Sequence, residues 1–237
     1  MEHPEQVLTL YDLLLLLRER IHSLHKLRDK FKPNSAQHYW CAYAAKRFEL
    51  AYEHFLFAAI SRMHGHGICS PTTLMGADDQ KIYQAFIEIG QQYREAPAVD
   101  TLITERLLDL HTSMWAGFEA LIKLIIEKNN IPRLIDFSAD YKALINSLAH
   151  KDGNNWIEFI NGFKLIRHSE HCNFRADRSF IVVIPSLGKR LSVGKSSQID
   201  LKNKFNLIAL NSDMVSLVVK ILCEFETKIR GLDLSYA

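Results

Sequence analysis

Residues 101–128 read "TLITERLLDLHTSMWAGFEALIKLIIEK". Leu107, Leu110, Met114, Phe118, Leu121 and Ile125 return at steps of three and four, which lines one face of a helix. Asn129-Asn130 and Pro132 stop it. An amphipathic helix of this length has to bury its stripe against other helices, so the flanking sequence decides between a bundle and a mixed fold. Upstream, Pro97 is a candidate boundary. "AQHYWCAYAAKRFELAYEHFLFAAISR" (36–62) reads as a second helix, rich in alanine and aromatics. Before the breaker "KPNS", Leu10, Leu14, Leu17, Ile21, Leu24 and Phe31 form another stripe. "HGHGICSPTT" (64–73) reads as a loop and "DDQKIYQAFIEIGQQY" (78–93) as a short helix with acids at its positive end.

Downstream, Ser138 is placed to cap "ADYKALINSLAH", and Asn155 with Glu158 forms a plausible capping box for "WIEFINGFKLIRHSEH". Then the period shortens. "RSFIVVIP" and "KRLSVG", joined through "SLGK", read as a β-hairpin, and "KFNLIAL" as a further extended piece. Ser212 or Asp213 is expected to cap a final helix, "MVSLVVKILCEFETKIR", closed by Gly231. The expected fold class is all-α: a helical bundle with a small β-hairpin insertion before the last helix. The expected division is an N-terminal helical region, 1–96, and a second bundle, 97–237.

The chain has 237 residues, 48% of them apolar and 24% charged, enough for a sizeable core. A net charge of +2 does not mark the whole chain as a nucleic-acid binder, so any such role needs local clustering. The four cysteines, Cys41, Cys69, Cys172 and Cys223, match neither a disulfide framework nor a paired zinc knuckle, and reduced thiols are expected. "LTLYDLLLLLRER" ends its short apolar run in Arg18-Glu19-Arg20, whereas a spanning helix needs about 20 apolar residues. It also lacks the features of a signal peptide. A cytoplasmic protein with no membrane role is the expectation.

Chemistry concentrates in "FKLIRHSEHCNFRADR" (163–178). On a continuing helix Arg167 and His171 lie four apart and share a face. A guanidinium grips a phosphate with paired donors, and a histidine with an ordinary pKa near 6.5 exchanges protons at neutral pH. Lys164, Arg175 and Arg178 add positive potential. The other reading is a helix C-terminus that gathers cations for its dipole.

Trp115-x-x-Phe118-Glu119, then "WIEFINGFKLIRHSEHC", then "MVSLVVKILCEFE" together resemble the HEPN domain family over roughly residues 100–231. The resemblance implies a helical bundle that forms a homodimer with two motifs facing each other, and a metal-independent endoribonuclease without cofactors. It also implies a toxin–antitoxin or phage-defence setting, with RNA as substrate and an antitoxin or other protein as partner. Arg167 and His168 stand at the first two motif positions; His171 comes early, and Cys172 stands where the shortest family spacing puts the histidine. By resemblance Arg167 holds the scissile phosphate, His171 moves a proton, His168 orients or shares that step, and Glu119 positions Arg167. The alternative is a non-catalytic HEPN-like module binding RNA, a nucleotide or a protein.

Other groupings carry less. His64, His66 and Cys69 have metal-compatible steps and, with His168, His171 and Cys172, sketch a composite zinc site, but no CxxC pair anchors either group; no metal is expected. Gly194-Lys195-Ser196 lacks the first glycine of a phosphate loop, because Lys189 occupies that place. Lys189, Arg190 and Lys195 fit either phosphate contacts or a solubilising edge strand. The aromatics of residues 39–57 read as packing groups, since base stacking needs rings exposed beside cations.

Overall fold

The computed structural model describes residues 10–65, 97–129, 137–148, 151–170, 176–195 and 204–228. Among these it has six α-helices and one two-stranded hairpin: α1 (Leu10–Arg28), α2 (Ala36–Gly65), α3 (Pro97–Lys128), α4 (Phe137–Leu148), α5 (Gly153–Glu170), β1 (Phe180–Ile184), β2 (Lys189–Val193) and α6 (Lys204–Lys228). The all-α bundle with a hairpin before the last helix is what forms. The expected helix at 78–93 and most of the loop at 64–73 lie outside the described residues; His64 and Gly65 end α2.

Local chemistry explains the junctions. After α1, Asn34 takes a left-handed φ of 70°, a conformation that asparagine tolerates better than most residues. Ser35 then caps α2, its hydroxyl accepting from the His38 amide at 3.1 Å. The hairpin pairs Phe180 with Val193 through to Ile184 with Lys189. Its reversal is one turn of 3-10 helix, Pro185–Leu187, closed by Gly188 at φ 59°.

Three expected starts are corrected. α4 begins at Phe137, so Ser138 lies inside its first turn instead of capping it, and its hydroxyl accepts from Lys164. The helix expected to begin at Asn155 begins at Gly153, where the Trp156 amide bonds back to the Asp152 carbonyl at 3.0 Å. The Asn155–Glu158 box therefore does not form, and Glu158 reaches Arg190 on β2 instead, at 2.5 Å. "KFNLIAL" is not extended: it is the first part of α6, and Ser212 and Asp213 sit inside that helix. Residues 207–215 are all buried, so tertiary burial overrides the local preference of Asn, Ser and Asp for a helix start. By length and composition Asn206–Glu224 could cross a membrane, but 72% of it is buried inside the protein, the pattern of a core helix.

One hydrophobic cluster runs through the described helices on both sides of Pro97. α1 packs on α2 and α6, α2 also packs on α3, and α5 rests on α4 and β1. Gly162 makes the last contact close: a Cβ there would lie 2.8 Å from the Ile181 carbonyl oxygen.

Candidate functional site

The C-terminal end of α5 is built on an aromatic junction of α3, α4 and α5. Trp115 meets Phe163 at 6.1 Å, stacked, and Phe137 at 5.6 Å, edge-on. Phe118 meets Phe137 edge-on at 6.2 Å. Trp115 and Phe118 are both buried, so they hold the motif-bearing helix from within the core.

A residue that the sequence reading missed sits beneath this junction. His111 is fully buried, and its ring stacks on Phe163 with centroids 3.8 Å apart. Its Nε2 lies 3.1 Å from the Phe163 carbonyl oxygen. A carbonyl only accepts, so Nε2 carries the hydrogen and the neutral ring bridges α3 to α5. Burial pushes its pKa from 6.5 down to about 4, opposed by the bond to Phe163 and by the nearby Asn211 amide. Nδ1 and both Asn211 amide atoms have no well-formed hydrogen bond. The Phe163 carbonyl is also the helical acceptor for the Arg167 amide, so His111 is anchored to the turn that carries Arg167. The one legible signal was a histidine inside an otherwise apolar stripe.

Arg167 and His168 occupy the last turn of α5. Arg167 is half-buried, and its Nε is shut from water without a hydrogen-bond partner. His168 is exposed. The chain after α5 returns close to it, because His168 and Arg178 both act on Asp177. Arg178 donates to that carboxylate at 3.3 Å and holds its pKa below the ordinary value, with His168 adding a weaker pull. His171, Cys172 and Arg175 lie outside the described residues.

The remaining candidates are dispersed. Glu119 accepts from Lys123 at 2.6 Å, one turn along α3, so its partner is a lysine of its own helix and not Arg167. Lys164 donates to the Ser138 hydroxyl on α4. Lys189 and Arg190 are exposed on β2, where Arg190 pairs with Glu158. Lys195 is exposed in the turn after β2, and its backbone amide bonds to the Ser179 hydroxyl. Among the described residues no three His, Cys, Asp or Glu side chains are grouped to hold a metal ion. His66 and Cys69 of the composite zinc site, like His171 and Cys172, fall outside those residues.

The helix end thus presents a partly desolvated guanidinium beside an exposed imidazole. The part of the guanidinium that still reaches the surface can donate to a phosphate oxygen, while the enclosed Nε cannot. Comparison with protein-family models, with curated proteins and with solved structures returns no match.

Proposed function

We propose that this chain is a HEPN-like, metal-independent endoribonuclease acting in the cytoplasm, with the end of α5 as its catalytic surface. The observation that carries the reading is the pair at the end of α5: Arg167, half-buried with part of its side chain still at the surface, beside exposed His168. A phosphodiester oxygen accepts from the solvent-facing part of that guanidinium, not from the enclosed Nε. Arg167 then holds the scissile phosphate while the RNA's own 2′-hydroxyl attacks phosphorus. A histidine takes the 2′ proton, and the P–O5′ bond breaks as the 5′ oxygen regains a proton. The products are a 2′,3′-cyclic phosphate and a 5′-hydroxyl. His171, four residues after Arg167 in the sequence, is assigned the proton transfer, and exposed His168 orients or shares it. A toxin–antitoxin or phage-defence role, and dimerisation that sets two motifs face to face, belong to the same proposal.

The second reading is a non-catalytic RNA- or protein-binding module. The three-residue gap between Arg167 and His171, shorter than the family pattern, and the Glu119–Lys123 pair favour it. Purified protein incubated with RNA and EDTA separates the two. The enzyme yields fragments with 2′,3′-cyclic ends. Arg167→Ala and His171→Ala then lose cleavage by about 100-fold or more, with melting temperature unchanged. If the parent binds RNA and never cuts it, the binding module is the function. If all variants cut like the parent, the end of α5 is not the active site.

A further inference from the structure

Most aromatics of α2 are buried, yet four large side chains are not. Tyr39 is 47% exposed, Leu50 39% and Phe57 67%, and Tyr43 is half-exposed. Their spacings of four, seven and seven residues are close to whole turns, so they form one stripe along α2. The helix packs its other faces on α1, α3 and α6, and this stripe faces outward. Isolated exposed apolar residues are ordinary; a row of them on a single helix marks an interaction surface.

The pattern of the row points to its partner. Leu50 is next to the midpoint of α2, which runs Ala36–Gly65. Set two copies of this helix antiparallel, with a two-fold axis at Leu50, and residues whose numbers add to 100 come level. Leu50 then meets the partner's Leu50, and Tyr43 meets the partner's Phe57. Lys46 and Glu53, both exposed, lie on the same flank of the stripe, seven residues apart. In this arrangement Lys46 comes level with the partner's Glu53 to within one residue's rise of about 1.5 Å. Parallel packing would instead put each chain's Lys46 and Glu53 on opposite edges of the seam from their partner's, where they do not pair. A single-stranded nucleic acid fits less well, because the stripe offers two cations, Lys46 and Arg47, and a carboxylate at its edge.

We infer that α2 is a homodimer interface: two chains pair their α2 helices antiparallel about Leu50, with aromatic contacts on either side and reciprocal Lys46–Glu53 ion pairs. This surface is separate from the end of α5, and the inference stands whether or not the protein cleaves RNA. One helix pair lies at the low end of stable interface size, so micromolar dissociation is expected.

The test is sedimentation of the full chain at about 1 to 100 μM, with circular dichroism showing that each variant stays folded. The parent is expected to interconvert between monomer and dimer. Leu50→Glu puts two carboxylates on the axis and weakens association at least about tenfold. Lys46→Glu and Glu53→Lys each weaken it, and the double reversal recovers to within about threefold of the parent. Positions 46 and 53 are two turns apart on one helix and cannot rescue each other within a chain. A parent that stays monomeric overturns the inference. So does a dimer that survives Leu50→Glu, which assigns the two-fold to another surface, such as the motif-facing one proposed for the end of α5, or a double reversal that fails to recover. Loss of RNA binding in these variants with no change in mass would make the stripe a nucleic-acid surface instead.

Discussion

His111 carries the most consequential charge balance at the scale of one side chain. Folded, it stays neutral until about pH 4; unfolded, it takes a proton near 6.5. Between those values the unfolded chain binds more protons, so falling pH favours unfolding. The stability that neutral His111 contributes is complete above pH 6.5 and is lost progressively toward pH 4, by up to about 3 kcal/mol. Asp213 acts in the opposite sense. Burial raises its pKa despite two bonds from Ser186 and the charge of Arg20, so its contribution declines as pH rises through that raised value. His111→Gln keeps a donor for the Phe163 carbonyl and cannot titrate. Its melting temperature should therefore fall less than the parent's between about pH 7 and pH 4.5, whatever its value at neutral pH. Equal slopes would mean that His111 is not the residue that senses acid. Arg167 and His168 stood out in the sequence as a candidate site by their types and spacing, and the structure places both in the last turn of α5. His111 was not, since a histidine between Leu110 and Met114 reads as an imperfection in a stripe until the fold shows what lies against it.

The contact between α5 and β1 is the most exacting at the scale of elements. Gly162 lets the helix approach the strand backbone, and an added methyl would meet the Ile181 carbonyl at 2.8 Å and the Val182 Cα at 3.2 Å. Backbone cannot swing aside as a flexible side chain does. Gly162→Ala should therefore destabilise by about 1–3 kcal/mol in urea unfolding, even though alanine is the better helix former. If the end of α5 holds RNA as proposed, that binding should weaken at the same time, since α5 carries Arg167. Unchanged stability would show that helix and strand separate readily. The hairpin itself was readable because Phe180–Ile184 is rich in β-branched residues and Gly188 marks the reversal. The start of α6 was not. Asn206, Asn211, Ser212 and Asp213 look like breaks and caps, and only the burial of residues 207–215 makes a continuous helix preferable.

Across the whole molecule, Pro97 looked like a boundary because the apolar pattern is interrupted there; the contacts made across it appear only in the fold. Leu13, Leu14, Leu17, Ile21, Leu24 and Leu27 of α1 are each 6% exposed or less, and α1 packs on α6, at the other end of the chain. At about 2 kcal/mol for each buried side chain, these six give a gross burial term on the order of 10 kcal/mol, shared between α2 and α6 and opposed by the entropy of ordering the helix. Part of the apolar surface of α6 is therefore covered by α1. Expressed alone, residues 97–237 should aggregate or show little cooperative melting by circular dichroism, whereas the full chain should unfold in a single transition. A fragment that melts cooperatively near the parent temperature would establish 97–237 as an independent domain and leave α1 and α2 as an appended dimerisation arm. In the single-core case, variants that loosen α1 should instead lower the stability of α6 and of the helix end that carries Arg167 together.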